Sequence, residues 1–296
     1  MLQYWGIKSC SLLFKRLPLK VTYALACFLA DFVFLFWRRG RKNILDNMAH
    51  VLGPQADKEA VRRVGKLSLR NYAKYIVDFL RFPDMAAEEI KGRVTFDGWH
   101  SFDDALSQGK GALFLGLHMG NWDIGAAAAA LHDYPVSVIV ERFPHPKLDE
   151  FIQGARRHLG IGTIPVEESA RGVFRTLRNN EILGILVDRP GPDDGVPVRF
   201  FDAWTSVPSG PAIIALRTGS PVMTGGAIRR PDDSFLILVG KEIPYQHSGD
   251  YKRDVQVLTQ SIMTSMEQMI RRYPEQWYMF RPMWPALVTD NAEDSL

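Results

Sequence analysis

A histidine followed five places later by a carboxylate is expected about once by chance in a chain with seven histidines and 33 acidic residues. Two such pairs occur, His118 with Asp123 and His145 with Glu150. His145 lies in the proline-flanked stretch Phe143-Pro-His-Pro146, with no strand before it, and reads as loop leading into helix. His118 has a different setting. Gly109-Lys-Gly111 turns the chain into the apolar run Ala112 to Leu117, the length of a buried strand. The run stops at His118, and after Met119-Gly120 the side chain of Asn121 can cap an alanine-rich helix from Trp122 to about His132. That context puts an imidazole at the carboxyl end of a strand, the edge where open α/β sheets bind ligands. Asp123, in the first helical turn, is near enough to accept one imidazole N–H. The other ring nitrogen can then take a proton from a hydroxyl, which is general-base chemistry.

Two more strand ends carry ionisable pairs. Glu141-Arg142 follows Val136–Val140, and Asp188-Arg189 follows Ile182–Val187, so three successive strand ends put titratable groups on one rim. Singly, each pair reads as a surface ion pair. Together they point to an anion-binding edge, since guanidinium groups match phosphate or carboxylate by their fork geometry. Arg156-Arg157 lies one helix later, on a segment with an apolar face of Leu148, Phe151, Ile152, Ala155 and Leu159.

The elements that must position these groups follow from periodicity. Strands are expected at 112–117, 136–140, 163–166, 182–187, 222–228 and 235–239, with helices near 122–132, 147–159, 169–179 and 209–218. This alternation predicts right-handed crossovers and an α/β fold with a mixed, mainly parallel central sheet flanked by helices. Asp57 to Phe82 has helical period, and a closing helix is expected from about Asp250 to Arg272, before the tail Tyr273 to Phe280. The stretch Pro190 to Pro208 reads as a long proline-interrupted loop carrying Phe200, Phe201 and Trp204, of a length that is usually functional.

The first 42 residues differ from the rest. They carry eight Lys or Arg residues against one acid, Asp31, and include both cysteines, Cys10 and Cys27. Two cysteines offer no disulfide framework, and the main domain is expected in a reducing compartment. The run Val21 to Trp37 is at the short limit for a membrane span, is interrupted by Asp31, and has positive charge on both flanks. The sequence therefore predicts an N-terminal membrane-associated helical segment over 1–42, interfacial or shallowly inserted, ahead of a catalytic domain over 43–296.

Composition excludes disorder: 46% of residues are apolar and 23% charged. No Gly-x-Ser-x-Gly elbow, phosphate loop or dinucleotide glycine fingerprint is present. The histidines are scattered, so no metal site is expected. Basic residues do not interleave with aromatics as a nucleic-acid face requires, so no nucleic-acid partner is expected.

The box His118-Met-Gly-Asn-Trp-Asp123 resembles the His-x4-Asp/Glu motif of the lysophospholipid acyltransferase superfamily. More closely, the chain is similar to the branch of lipid A biosynthesis (lauroyl/myristoyl) acyltransferases and actinobacterial phosphatidylinositol mannoside acyltransferases. Val138-Ile-Val-Glu-Arg142, Arg156-Arg-His-Leu-Gly160, Val187-Asp-Arg189 with Gly195-Val-Pro-Val-Arg-Phe-Phe201, and Pro274-Glu-Gln-Trp-Tyr278 agree in order, over residues 20 to 285. The acid of the box is Asp, as on the phosphatidylinositol mannoside side. The resemblance implies an enzyme at the cytoplasmic face of a bacterial inner membrane. It would move a fatty acyl group from a thioester, acyl-CoA or acyl carrier protein, to a hydroxyl of a glycolipid, with no metal or redox cofactor. His118 would be the general base, with Asp123 orienting it. The amides at 121–123 would help hold the oxyanion. By the same resemblance Glu141, Arg142 and Arg156 would bind or position substrate, with Asp188 and Arg189 close by. Two alternatives stand beside this reading. One is a 1-acylglycerol phosphate acyltransferase, against which the Phe-Pro-Glu-Gly-Thr box of that branch is replaced by Val187-Asp-Arg-Pro-Gly191. The other is a non-catalytic lipid-binding protein.

Overall fold

The computed structural model describes residues 2–190 and 195–284. Five helices precede the sheet: α1 (Leu2–Arg16), α2 (Leu19–Phe36), α3 (Arg38–Leu52), α4 (Lys58–Arg81) and α5 (Ala87–Arg93). Pro18 lacks the N–H that would continue α1, and the chain restarts as α2 directly after it. Asp57 starts α4 by accepting the Ala60 amide at 2.6 Å. The alternating part then runs β1 (Val94–Asp97), α6 (His100–Ser107), β2 (Ala112–Gly116), α7 (Trp122–Ala130), β3 (Val136–Val140), α8 (Pro146–His158), β4 (Gly162–Pro165), α9 (Ser169–Arg178) and β5 (Ile182–Leu186). It continues through β6 (Val196–Phe200), β7 (Ala203–Val207), α10 (Gly210–Thr218), β8 (Val222–Arg229), β9 (Phe235–Glu242) and α11 (Tyr251–Arg272).

The fold is α/β, as the alternation predicts. Among the described residues, seven strands form one sheet in the order β1-β9-β8-β2-β5-β3-β4, and its one antiparallel pairing is β8 with β9. Residues alternate across β2. Ala112 joins a buried cluster with Ile124, Ala127 and Ala128 of α7 and Leu159 after α8, whereas Leu113 and Leu115 join one with Leu177 of α9, Ala215 of α10 and Ile262 of α11. The connection after β2 therefore packs on one face and the connections flanking β5 on the other. β2 and β5 are neighbours, so the crevice beyond their carboxyl ends is a topological switch point.

One expectation needs correction. Residues 196–207 are a two-stranded antiparallel hairpin rather than loop, and 191–194 lie outside the described residues. Its two central residues, Phe201 (φ 50°) and Asp202 (φ 59°), have the positive φ of a type I′ turn, but they lack the Asn-Gly signature that announces one. Phe200 and Phe201 are buried and pack against Trp277. The 42/43 boundary falls inside α3, whose Ile44, Met48 and Val51 are core residues. The N-terminal helices are packed onto the domain: Thr22, Tyr23, Ala30 and Phe34 of α2 are buried.

Candidate active site

β2 and β5 pair in register with Gly116 opposite Leu186, so the residues two places further along, His118 and Asp188, lie level. The Asp188 carboxylate accepts the His118 amide at 3.0 Å on Oδ2 and faces imidazole Nδ1 at 2.7 Å with Oδ1. The indole N–H of Trp277 donates to Oδ2 at 2.9 Å. Asp188 is fully buried. Burial alone pushes its carboxyl upward, but the imidazole charge and the three hydrogen bonds together outweigh it and hold Asp188 below the ordinary carboxylate value. An ionised Asp188 accepts the Nδ1 proton, which leaves the lone pair on Nε2. Among the described residues no group hydrogen-bonds Nε2, and the His118 side chain is 19% exposed. The site thus has a proton acceptor facing outward and a buried carboxylate behind it.

The backbone corner carrying His118 is fixed by the C-terminal tail. Tyr278 donates its amide to the His118 carbonyl at 2.8 Å, and Gly120 donates to the Gln276 carbonyl at 3.1 Å. The Tyr278 hydroxyl donates to the Gly120 carbonyl at 3.0 Å. Gly120 has φ 59°, and a Cβ there would sit 1.9 Å from the Ala227 carbonyl oxygen, so only glycine fits. The next residue, Asn121, caps α7 by accepting the Ile124 amide at 3.0 Å.

The expected pairing of His118 with Asp123 is not the one formed. Asp123 is buried one position inside α7, where its carboxylate accepts Arg156 Nε at 2.7 Å and the Tyr75 hydroxyl at 3.0 Å. Trp122 stands between: its ring lies 5.3 Å from the imidazole and 4.0 Å from Tyr75. Arg156 is largely buried, gives Nη1 to Gln153 at 2.9 Å, and covers the Phe79 ring at 5.7 Å. Burial works against its charge, but the Asp123 carboxylate outweighs that and raises its pKa. Arg156 and Asp123 therefore brace α8 against α7 and α4, behind the reactive edge. Removing one partner of such a pair leaves an uncompensated buried charge. Asp123→Ala is expected to lower stability by about 3 kcal/mol, read as a denaturant midpoint shift, with a smaller loss in kcat than changes at Asp188 cause. A midpoint within error of wild type would remove the brace.

The other rim residues pair with one another. Arg189 is ion-paired with Glu141, joining the ends of β5 and β3, and Arg142 is ion-paired with Glu168 and lies 3.7 Å from Glu167. Both arginines are exposed by about half. Burial raises the Tyr72 pKa and the Arg189 charge opposes it, which puts Arg189 in electrostatic reach of α4 near the His118 corner. Among the described residues no group of three or more His, Cys, Asp or Glu is placed to hold a metal ion. The contributions of Trp277, Gln276 and Tyr75 were not expected. The signal for Gln276 and Trp277 in sequence was the tail stretch Pro274 to Tyr278, which the resemblance includes without a role, whereas Tyr75 showed only as part of the helical period of α4.

A carboxylate-backed imidazole at the switch point of an α/β sheet is an arrangement that can take a proton from a hydroxyl, the chemistry a transferase or hydrolase requires. The profile of the bacterial lipid A biosynthesis acyltransferase family matches residues 1–285, and the chain belongs to that family. It is an O-acyltransferase. It is 26% identical over 266 residues to a phosphatidylinositol mannoside acyltransferase of Mycobacterium tuberculosis, covering 87% of this chain and 81% of the relative. It is 27% identical over 264 residues to one of Mycolicibacterium smegmatis, covering 87% and 84%.

Proposed function

We propose that this protein transfers a fatty acyl group from a thioester donor, acyl-CoA or acyl carrier protein, to a sugar hydroxyl of a membrane glycolipid, with His118 as general base and Asp188 as its orienting carboxylate. One observation carries the assignment: Asp188 holds Nδ1 of His118 and leaves Nε2 unpartnered. The acceptor hydroxyl gives its proton to Nε2 as its oxygen attacks the thioester carbonyl and the new C–O bond forms. The imidazolium so formed is stabilised by Asp188. The tetrahedral oxyanion collapses with cleavage of the C–S bond, and the leaving thiolate takes the proton back from Nε2. Of the amides at 121–123, that of Asn121 is committed to the Ala227 carbonyl. Those of Trp122 and Asp123 have no hydrogen-bond partner among the described residues and lie at the positive end of α7, available to the oxyanion. Arg189 and Arg142, held by carboxylates at the rim, are the groups we assign to phosphate of donor or acceptor. No metal or redox cofactor takes part.

The relatives' names favour a phosphatidylinositol mannoside-type acceptor, and the family's name a lipid A precursor. Incubating the purified protein with either donor and with each of these glycolipids, and with 1-acylglycerol phosphate, decides between them. Transfer confined to the glycerophosphate would overturn the glycolipid reading.

The same proposal places the enzyme on the cytoplasmic face of the bacterial inner membrane. Helix α2 is long and apolar enough to cross a bilayer, yet one side of it is packed on the domain. Asp31 is ion-paired with Lys66 and Arg70 of α4 at 3.0 and 2.5 Å. The outward side exposes Leu25, Phe28, Leu29, Phe32 and Phe36. That geometry supports a helix lying in the interface, with Arg38, Arg39 and Lys42 at its end meeting anionic headgroups. Replacing Phe28, Leu29 and Phe36 together by Ser is expected to weaken binding to anionic vesicles by ~100-fold or more, since each buried side chain contributes about 1.5–3 kcal/mol. Unchanged sedimentation with vesicles would refute the interfacial orientation.

A further inference from the structure

A buried cluster of ion pairs and hydrogen bonds lies beside the active site, and the proposed chemistry does not use it. Asp78 of α4 and Arg229 of β8 are both fully buried and form an ion pair. Asp78 also accepts the Tyr23 hydroxyl at 2.5 Å on Oδ1 and the Asn121 side-chain amide at 3.0 Å on Oδ2, and Arg93 of α5 lies 3.7 Å from it. The Tyr23 hydroxyl accepts Arg93 at 3.0 Å and Arg229 at 3.1 Å. Among the described residues, the buried Arg229 Nε and Arg93 Nη1 have no hydrogen-bond partner. The two arginines share Asp78 and the neutral Tyr23 hydroxyl as acceptors, and each has a second acidic neighbour, Asp233 at 3.5 Å from Arg229 and Glu89 at 3.8 Å from Arg93.

Two connections run from this cluster to the catalytic dyad. Asn121 uses both ends of its amide, Nδ2 on Asp78 and Oδ1 as the cap of α7, three residues after His118. Gln276 exchanges two 2.8 Å hydrogen bonds with the Arg229 backbone, and the next residue, Trp277, donates to Asp188. Tyr23 belongs to α2, whose other side is the exposed apolar face. Among the described residues it is the residue of that helix that bonds the cluster.

We infer that Tyr23 is a positioning residue that couples the seating of the membrane-facing helix α2 to the geometry of the His118 corner, through Asp78 and Asn121. When α2 is seated, Asp78 has its full set of donors and Asn121 is held in the orientation that caps α7. When α2 lifts, Asp78 loses a donor, Arg93 and Arg229 lose a shared acceptor, and water enters beside Asn121. Buried polar networks fix geometry when complete and lose that specificity when broken. A corner displaced by about 1 Å loses ~10²-fold in rate. The transferase is thereby fully competent only with α2 docked, the state that a bilayer covering the outward face of α2 maintains.

The kinetic arm of the test rests on the acyltransferase reading, and the exchange arm does not. Tyr23→Phe removes the hydroxyl and keeps the ring beside Arg229 and Lys74. In the full chain bound to phosphatidylglycerol vesicles, Tyr23→Phe is expected to raise amide hydrogen exchange of peptides spanning 118–125 by ~10-fold. Exchange in β2 and α11 and vesicle binding should stay at wild-type levels. In acyl transfer, kcat is expected to fall by ~10-fold, with donor and acceptor KM within about two-fold. Asn121→Ser keeps a capping oxygen and loses the donor to Asp78. The double variant is expected to lose no more kcat than the worse single one, since both act through Asp78. Wild-type exchange at 118–125 in Tyr23→Phe, or additive losses in the double variant, would overturn the coupling. Absence of transfer by the wild-type protein would instead count against the acyltransferase chemistry and leave the exchange result standing.

Discussion

Asp188→Asn is expected to lower kcat by a factor on the order of 10³ while the protein stays folded, through a change of imidazole tautomer. Asp188 meets three donors: Nδ1 on Oδ1, and the His118 amide and Trp277 indole on Oδ2. An asparagine has one acceptor oxygen for these three. With that oxygen on the side of the two fixed donors, its NH2 faces Nδ1, which must then be unprotonated, so the proton moves to Nε2 and the base is lost. With the amide reversed, the NH2 group abuts the indole and backbone N–H groups instead. Steady-state kinetics at neutral pH reads the effect, and activity within about ten-fold of wild type would remove Asp188 from the dyad. Acid unfolding provides a second readout. Asp188 is held below the ordinary carboxylate pKa in the folded state. As pH falls below that ordinary value the unfolded chain binds the proton first, and the stability contributed by the ionised carboxylate drains away until pH passes the folded value. Asp188→Asn should therefore flatten the fall of unfolding free energy in that acid range.

His118→Ala is expected to lower kcat by a factor of 10² to 10⁴, about 3 to 5 kcal/mol of barrier, with both KM values changing by less than about three-fold. The imidazole is needed once the hydroxyl begins to lose its proton, so its loss falls on the chemical step and not on binding. The fold should tolerate the change, because Asp188 keeps the Trp277 indole and the backbone amide of residue 118 as donors. Comparing cellular glycolipids with wild-type and variant protein identifies the acceptor as the class that loses an acyl chain. Unchanged lipids across all classes would favour a lipid-binding role for the fold.

Much of this was legible in the chain because it is written locally. The apolar run before His118, the Asn121 cap and the alanine-rich helix are contiguous, and each took its expected place within a few residues. The strand-end positions of Glu141, Arg142, Asp188 and Arg189 were equally local. The identity of the imidazole's partner was not, because five residues of separation favoured Asp123, whereas the true contact depends on which strand lies beside β2 and in what register. Parallel neighbours are joined through distant crossovers, and periodicity carries no register. Arg156 shows the same limit. Its helix was expected, but whether it points outward to phosphate or inward to Asp123 is decided by the packing of α8 on α4 and α7. The four-residue β1 was too short to show a period, and the β6–β7 turn uses Phe-Asp where the familiar signal is Asn-Gly.

The tail that locks the His118 corner also sets the order in which the molecule becomes an enzyme. The contacts from Asp188 span 70 residues to His118 and 89 to Trp277, and Gln276 to Tyr278 lie near the end of the described residues. Synthesis proceeds from the N-terminus at about 5–20 residues per second. The apolar face of α2 therefore leaves the ribosome well before residues 276–278 can close the corner around the imidazole. Nascent chains and products truncated before Tyr278 lack the indole that holds Asp188 and the amide that fixes His118. Under the proposed function, the chain can thus reach the bilayer before its His118 corner is complete, and acyl transfer would be confined to finished molecules already at the membrane.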